Sequence, residues 1–146
     1  MIPLLVLVVF SLVFYAMGLA GVTAFADPFA CLRYALAIMF LVTASAHWGK
    51  RRAALVRMVP PGFPRPDMLV TATGILEILG AIGLILHPTA RISAICLAIL
   101  LLALFPANAY AAKNKLTIGG RPVPSLPIRL LLQLFFILCL IAAALY

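Results

Sequence analysis

An all-α bundle of membrane-spanning helices is the fold class this sequence predicts, and three observations predict it. Of 146 residues, 66% are hydrophobic and only 10% are charged, and long apolar runs recur along the chain. A soluble domain is typically about half apolar and a quarter charged. Lipid must therefore solvate most of this surface. In lipid every backbone amide and carbonyl needs an internal partner, which leaves helices or closed barrels as spanning forms. The runs are continuous in Leu, Ala and Ile, whereas barrel strands alternate over about ten residues. Helices follow.

A span needs about 20 mostly apolar residues, and five segments qualify. The first runs from Ile2 to Ala26 without a charge, until Asp27 and Pro28 break it. Proline has no amide to donate, and aspartate favours a cap or turn. The second, Phe29 to Trp48, contains Arg33 and His47. A basic, proline-rich connection follows, with Lys50, Arg51, Arg52, Arg57 and Arg65 among Pro60, Pro61, Pro64 and Pro66. Asp67 fits the N-cap of the third span, Met68 to Leu86, and His87-Pro88 makes a tight link. The fourth covers about Arg91 to Ala112 and the fifth Leu126 to Tyr146. Between them Lys113, Lys115, Gly119, Gly120, Arg121, Pro122 and Pro124 form a second basic loop, with Gly119-Gly120 as its turn signal.

The net charge of +8 arises from eleven Lys and Arg against Asp27, Asp67 and Glu77. Most of the positive charge sits in the two basic connections, which reads as an orientation signal and as contact with anionic headgroups rather than as nucleic-acid binding. Two spans separate these connections, so both fall on one side, the cytoplasmic one by the positive-inside rule. Ala24-Phe25-Ala26 is a candidate signal-peptidase site. No basic residue precedes the run, however, and its length suffices to span, so the first helix is expected to stay attached. Trp48, Tyr110 and Tyr146 stand near span ends, where amphipathic rings anchor at the headgroups.

Cys31, Cys96 and Cys139 occur singly in apolar segments and read as packing residues. They and two histidines give no metal-ligand spacing. No nucleophile–base pair, phosphate loop or dinucleotide fingerprint is present. An ionisable residue inside a span is costly and marks a functional site by default. Glu77 lies halfway along the third span, roughly 15 Å from either end at 1.5 Å per residue. Thr73 and Gly80 share its face, and Gly80 admits a close neighbouring helix. On the second span Arg33, Ala37, Phe40, Ala44 and His47 form one stripe. Asn108 and Gln133 lie inside the same end of the fourth and fifth spans. Helical side chains lean toward their own N-terminus, so Glu77, His47, Asn108 and Gln133 are expected to converge in the inner half of the bilayer. Arg33 leans outward, with pairing to Glu77 as its alternative. Interhelical hydrogen bonding is the plainer role for Asn108 and Gln133.

Several stretches resemble the DoxX-like family of small bacterial membrane proteins. They are Arg33-Tyr34-Ala35-Leu36, Phe40 to His47, Met58-Val59-Pro60-Pro61, Thr73-Gly74-x-x-Glu77-x-x-Gly80-Ala81 and Phe105-Pro106-Ala107-Asn108. The resemblance implies a four-helix membrane bundle over residues 27–146, with residues 1–26 as an added transmembrane helix. It also implies association with quinol-oxidising or thiol redox systems, although paired cysteines and a haem ligand pair are missing. Two functions follow as expectations. The first is a multi-pass inner-membrane protein that binds a small lipophile, a quinone by this resemblance, as an accessory of a membrane redox system. Glu77, His47, Asn108, Gln133, Thr73 and Arg33 would form that site. The second is a non-catalytic scaffold or assembly factor for a partner membrane protein. A transporter ranks third, since five spans without an inverted repeat are few. Whether a reaction is catalysed, and whether the chain forms a homo-oligomer, stays open.

Overall fold

A computed structural model describes residues 2–145 of the chain, so Tyr146, expected as an interfacial anchor, lies outside the described residues. The chain is an all-α helical bundle. Five helical segments are long and apolar enough to cross a membrane: Ile2–Leu19, Pro28–Ser45, Pro66–Ile85, Ala90–Lys113 and Leu126–Leu145. We label the first three α1, α2 and α4. A short helix α3, Arg52–Met58, lies in the first basic connection. The fourth span is two helices, α5 at Ala90–Ala103 and α6 at Phe105–Lys113, and the fifth span is α7.

Each boundary has a local cause. α1 stops at Leu19 rather than Ala26, because Gly21 at φ 95° turns the chain back, its amide donating to Gly18 O at 3.0 Å and that of Val22 to Met17 O at 3.1 Å. A single 3-10 turn, Thr23–Phe25, then leads to α2. Asp27 caps α2: its carboxylate accepts from the amides of Phe29 at 3.3 Å and Ala30 at 3.0 Å, with Pro28 in the first turn. At α4 the expected cap moves. Arg65, at φ 49°, is the N-cap, and Asp67 sits inside the first turn. Pro66 in that turn loses no bond through its missing amide, and the carboxylate there complements the positive helix end. The fourth span was expected to be continuous, but Pro106 has no amide to offer the carbonyl one turn back, so helix breaks at Leu104.

α2, α4, α5 and α7 form a closed ring in that order, and α1 packs outside it against α2. Leu36, Met39 and Phe40 of α2, Leu84 of α4, Leu97 of α5 and Leu140 of α7 fill the centre. α1 contributes only Leu7 to the buried set. An aromatic cluster also ties it down, Phe14 stacking on Phe25 at 4.6 Å and Tyr34 of α2 standing edge-on to Phe25 at 5.2 Å. Outward residues such as Leu79, Ile92 and Leu138 stay 60%, 65% and 64% exposed, a surface suited to acyl chains rather than water. Cys31 is buried, whereas Cys96, expected as a packing residue, faces outward from α5. Thr117–Ile118 (β1) and Arg121–Pro122 (β2) pair across Gly119-Gly120, both at positive φ as tight hairpins require. α3 packs against α6 and β1, so the two basic connections occupy one end of the molecule.

Candidate functional site

Glu77, His47 and Gln133 are the buried polar side chains among the described residues. Glu77 and His47 share the contact between α4 and the end of α2, whereas Gln133 lies where α7 meets α5 and α6. α4 lies between α2 and α5 because its small residues admit both. A Cβ on Gly80 would collide with Leu97 of α5, and one on Gly83 with Ser93. Gly74 faces the other way, where a Cβ would come within 2.8 Å of both His47 and Trp48. Glu77 is thereby pressed against α2.

Beyond Ser45 the chain makes a tight turn, the His47 amide donating to Ala44 O at 2.9 Å, and this tucks the imidazole against α4. His47 Nδ1 lies 2.6 Å from the carbonyl oxygen of Val70. A carbonyl only accepts, so Nδ1 carries a proton. His47 Nε2 then faces Glu77 Oε1 at 3.6 Å. In the neutral ring Nε2 is an acceptor, which suits a protonated Glu77; in the imidazolium it is a donor, which suits a carboxylate. The two atoms are thus complementary only when one of them carries a proton.

The other carboxylate oxygen meets Thr43, whose hydroxyl lies 2.8 Å from Glu77 Oε2 and 2.9 Å from the carbonyl of Phe40. One hydroxyl proton serves one of these at a time. Thr43 can donate to Oε2 both when Glu77 is ionised and when a Glu77 proton sits on Oε1, toward His47, and it turns to Phe40 O only if the proton sits on Oε2. Thr73 Oγ1 donates to Val70 O at 3.1 Å and stands 3.5 Å from His47 Nδ1, completing the group. Arg52 secures its basic-loop side, donating to His47 O at 2.8 Å, Asp67 O at 3.1 Å and Thr71 Oγ1 at 2.9 Å.

Asn108 and Gln133 do not join this group. Gln133 donates to the carbonyl of Leu101 at 2.9 Å, in the last turn of α5 beside the break, and accepts from Asn108 Nδ2 at 3.3 Å. Arg129 adds a donor to Asn108 Oδ1 at 3.1 Å and to its carbonyl at 3.3 Å. The expected convergence of four polar residues therefore resolves into two groups, with no hydrogen bond or ion pair between them among the described residues. The cause is the ring order: α4 presents Glu77 to α2, while α7 presents Gln133 to α5 and α6. Arg33 lies apart from both. Its Nε is buried without a hydrogen-bond partner, and Glu77 is bound by Thr43 and His47 instead.

Thr43 and Arg129 were not singled out from sequence. Arg129 has a signal in retrospect, standing one turn before Gln133 on the same side of α7, and Thr43 lies four residues before His47, which the turn after α2 carries beyond the helix. Glu77 lines neither of two grooves at the start of α4. Among the described residues no cluster of His, Cys, Asp and Glu could hold a metal ion.

Residues 36–145, more than half of the chain, match the model of a family described as Domain of unknown function (DUF8561). No curated protein and no solved structure matches the chain.

Proposed function

The chain belongs to the DUF8561 family, and from its internal geometry we propose a non-catalytic scaffold or assembly factor for a partner membrane protein. It would be a multi-pass protein of a bacterial cytoplasmic membrane, with both basic connections on the cytoplasmic side by the positive-inside rule. The DoxX-like resemblance is compatible with this role. One observation carries it: the buried polar side chains spend their hydrogen-bonding capacity on neighbouring helices. Glu77 is taken up by Thr43 and His47, and Gln133 by Leu101 and Asn108. Such groups brace helices where lipid offers no hydrophobic drive for association.

A second reading, binding of a quinone or similar lipophile beside a redox partner, is favoured by the buried His47–Glu77 pair, whose Nε2 and Oε1 face each other at 3.6 Å. A quinone needs a proton partner when it is reduced, and imidazole and carboxyl groups are the side chains that serve as one. Trp48, the only tryptophan, touches the same interface and reports on it. Native mass spectrometry of the chain in gentle detergent separates the two readings. The scaffold reading expects the bare chain, or the chain with a protein partner, and no added quinone mass. A stoichiometric quinone adduct, with saturable quenching of Trp48 that Glu77→Gln abolishes, would overturn it.

A further inference from the structure

Two shallow grooves adjoin where α4 begins. The first is bounded by Lys50, Arg52, Val56, Arg57 and Asp67, and the second by Met68, Thr71, Ala72 and Ile75, with Arg52 and Asp67 lining both. Met68, Ala72 and Ile75 recur at helical spacing, so they line one stripe of α4 about 10 Å long. Met68 and Ile75 are 59% and 46% exposed. The groove thus has a cationic mouth and an apolar floor running along a spanning helix.

We propose that this composite groove binds an anionic phospholipid, its phosphate attracted by Lys50, Arg52 and Arg57 and one acyl chain lying on Met68, Ala72 and Ile75. Three cations face one carboxylate here. Asp67 Oδ1 stands 3.8 Å from Arg52 Nη2 and offsets part of that residue's charge. The side chains of Lys50 and Arg57 make no hydrogen bond or ion pair among the described residues, so their charge is free to meet a ligand. The guanidinium of Arg52 is held by three oxygen acceptors, which fixes one cation in place without side-chain ordering on binding. A soluble anion would use the mouth alone; the continuous apolar stripe selects a lipid. This inference rests on the membrane placement proposed above and not on the scaffold role.

The test uses the full chain in nanodiscs holding phosphatidylglycerol and phosphatidylcholine of the same acyl chains. Lipids retained on the protein are read by native mass spectrometry. Wild type should retain phosphatidylglycerol preferentially. Since each basic residue near an anionic partner contributes several-fold, Lys50→Gln with Arg57→Gln should lower that preference by about tenfold. Lys113→Gln with Lys115→Gln, an equal charge change in the other basic connection, should leave it intact. Equal losses in the two pairs, or no preference in wild type, would overturn the site. So would displacement of phosphatidylglycerol by soluble glycerol phosphate, which would show that the apolar stripe plays no part. Incorporation into the nanodisc, measured separately, reports on the membrane placement itself.

Discussion

The hydroxyl of Thr43 is poised between Phe40 O and Glu77 Oε2, and this lets the site accept Glu77 in either protonation state. Gln at position 77 can mimic the neutral acid, accepting from Thr43 and donating to His47 Nε2. We therefore predict that Glu77→Gln leaves thermal stability in detergent nearly unchanged. Glu77→Leu strips both partners at once, and an unsatisfied buried polar group costs about 1–3 kcal/mol. Its melting temperature should fall clearly below that of Glu77→Gln, and equal melting of the two would refute the bracing role. Thr43→Val removes one interhelical bond, worth about 0.6 kcal/mol on average, so its effect should be small. Glu77 was legible in the sequence because a mid-span carboxylate is costly. Thr43 was not, because threonine is common in spans and only the α2–α4 contact reveals its partner. Arg129 escaped for a related reason: near a span end it looks like a snorkelling cation.

Between elements, α4 owes its position to glycine on two sides. Replacing Gly80 by leucine places a branched side chain where Leu97 of α5 already sits. Overpacking of this kind costs about 1–3 kcal/mol, and we predict that Gly80→Leu lowers the melting temperature. Gly62→Leu, in open space in the first basic connection, should not. A second prediction concerns the α5–α6 break. Gln133→Leu removes the donor to Leu101 O beside Pro106, so proton exchange at the end of α5 should quicken and stability should drop. Unchanged exchange there would mean that the carbonyl finds another partner. The five spans were legible from run length and composition alone. The break at Leu104 had a visible cause in Pro106, but prolines within spans are tolerated often enough that the residue alone does not settle the matter. The pairing of polar residues was not legible, because lean along a helix sets their depth while ring order sets their neighbours.

At the scale of the molecule, the two basic connections meet at one end through α3, α6 and β1. Single cysteines introduced at Gly62 and Gly120 should therefore be labelled together, from the cytoplasmic side only. Labelling of both in intact cells by an impermeant reagent would reverse the proposed orientation. α1 contributes only one residue to the buried set and lies outside the family match, which begins at residue 36. Its continuous attachment is checked by intact mass, where a mature chain starting at Asp27 would show that Ala24-Phe25-Ala26 is cut.

The order in which the paired groups occur along the chain bears on biosynthesis. In the proposed membrane placement, a ribosome would deliver α2 with Thr43, and the turn after it with His47, before α4 brings Glu77 to the insertion machinery. It would likewise deliver Asn108 before Arg129 and Gln133. In each case the costly side chain reaches the membrane after its partner is already there. A charged residue at mid-span opposes insertion by roughly 2.5–3.5 kcal/mol, and a waiting partner offsets part of that cost. The second and third spans are thus suited to leave the translocon as a hairpin, with Arg52 fastening the end of one to the start of the next.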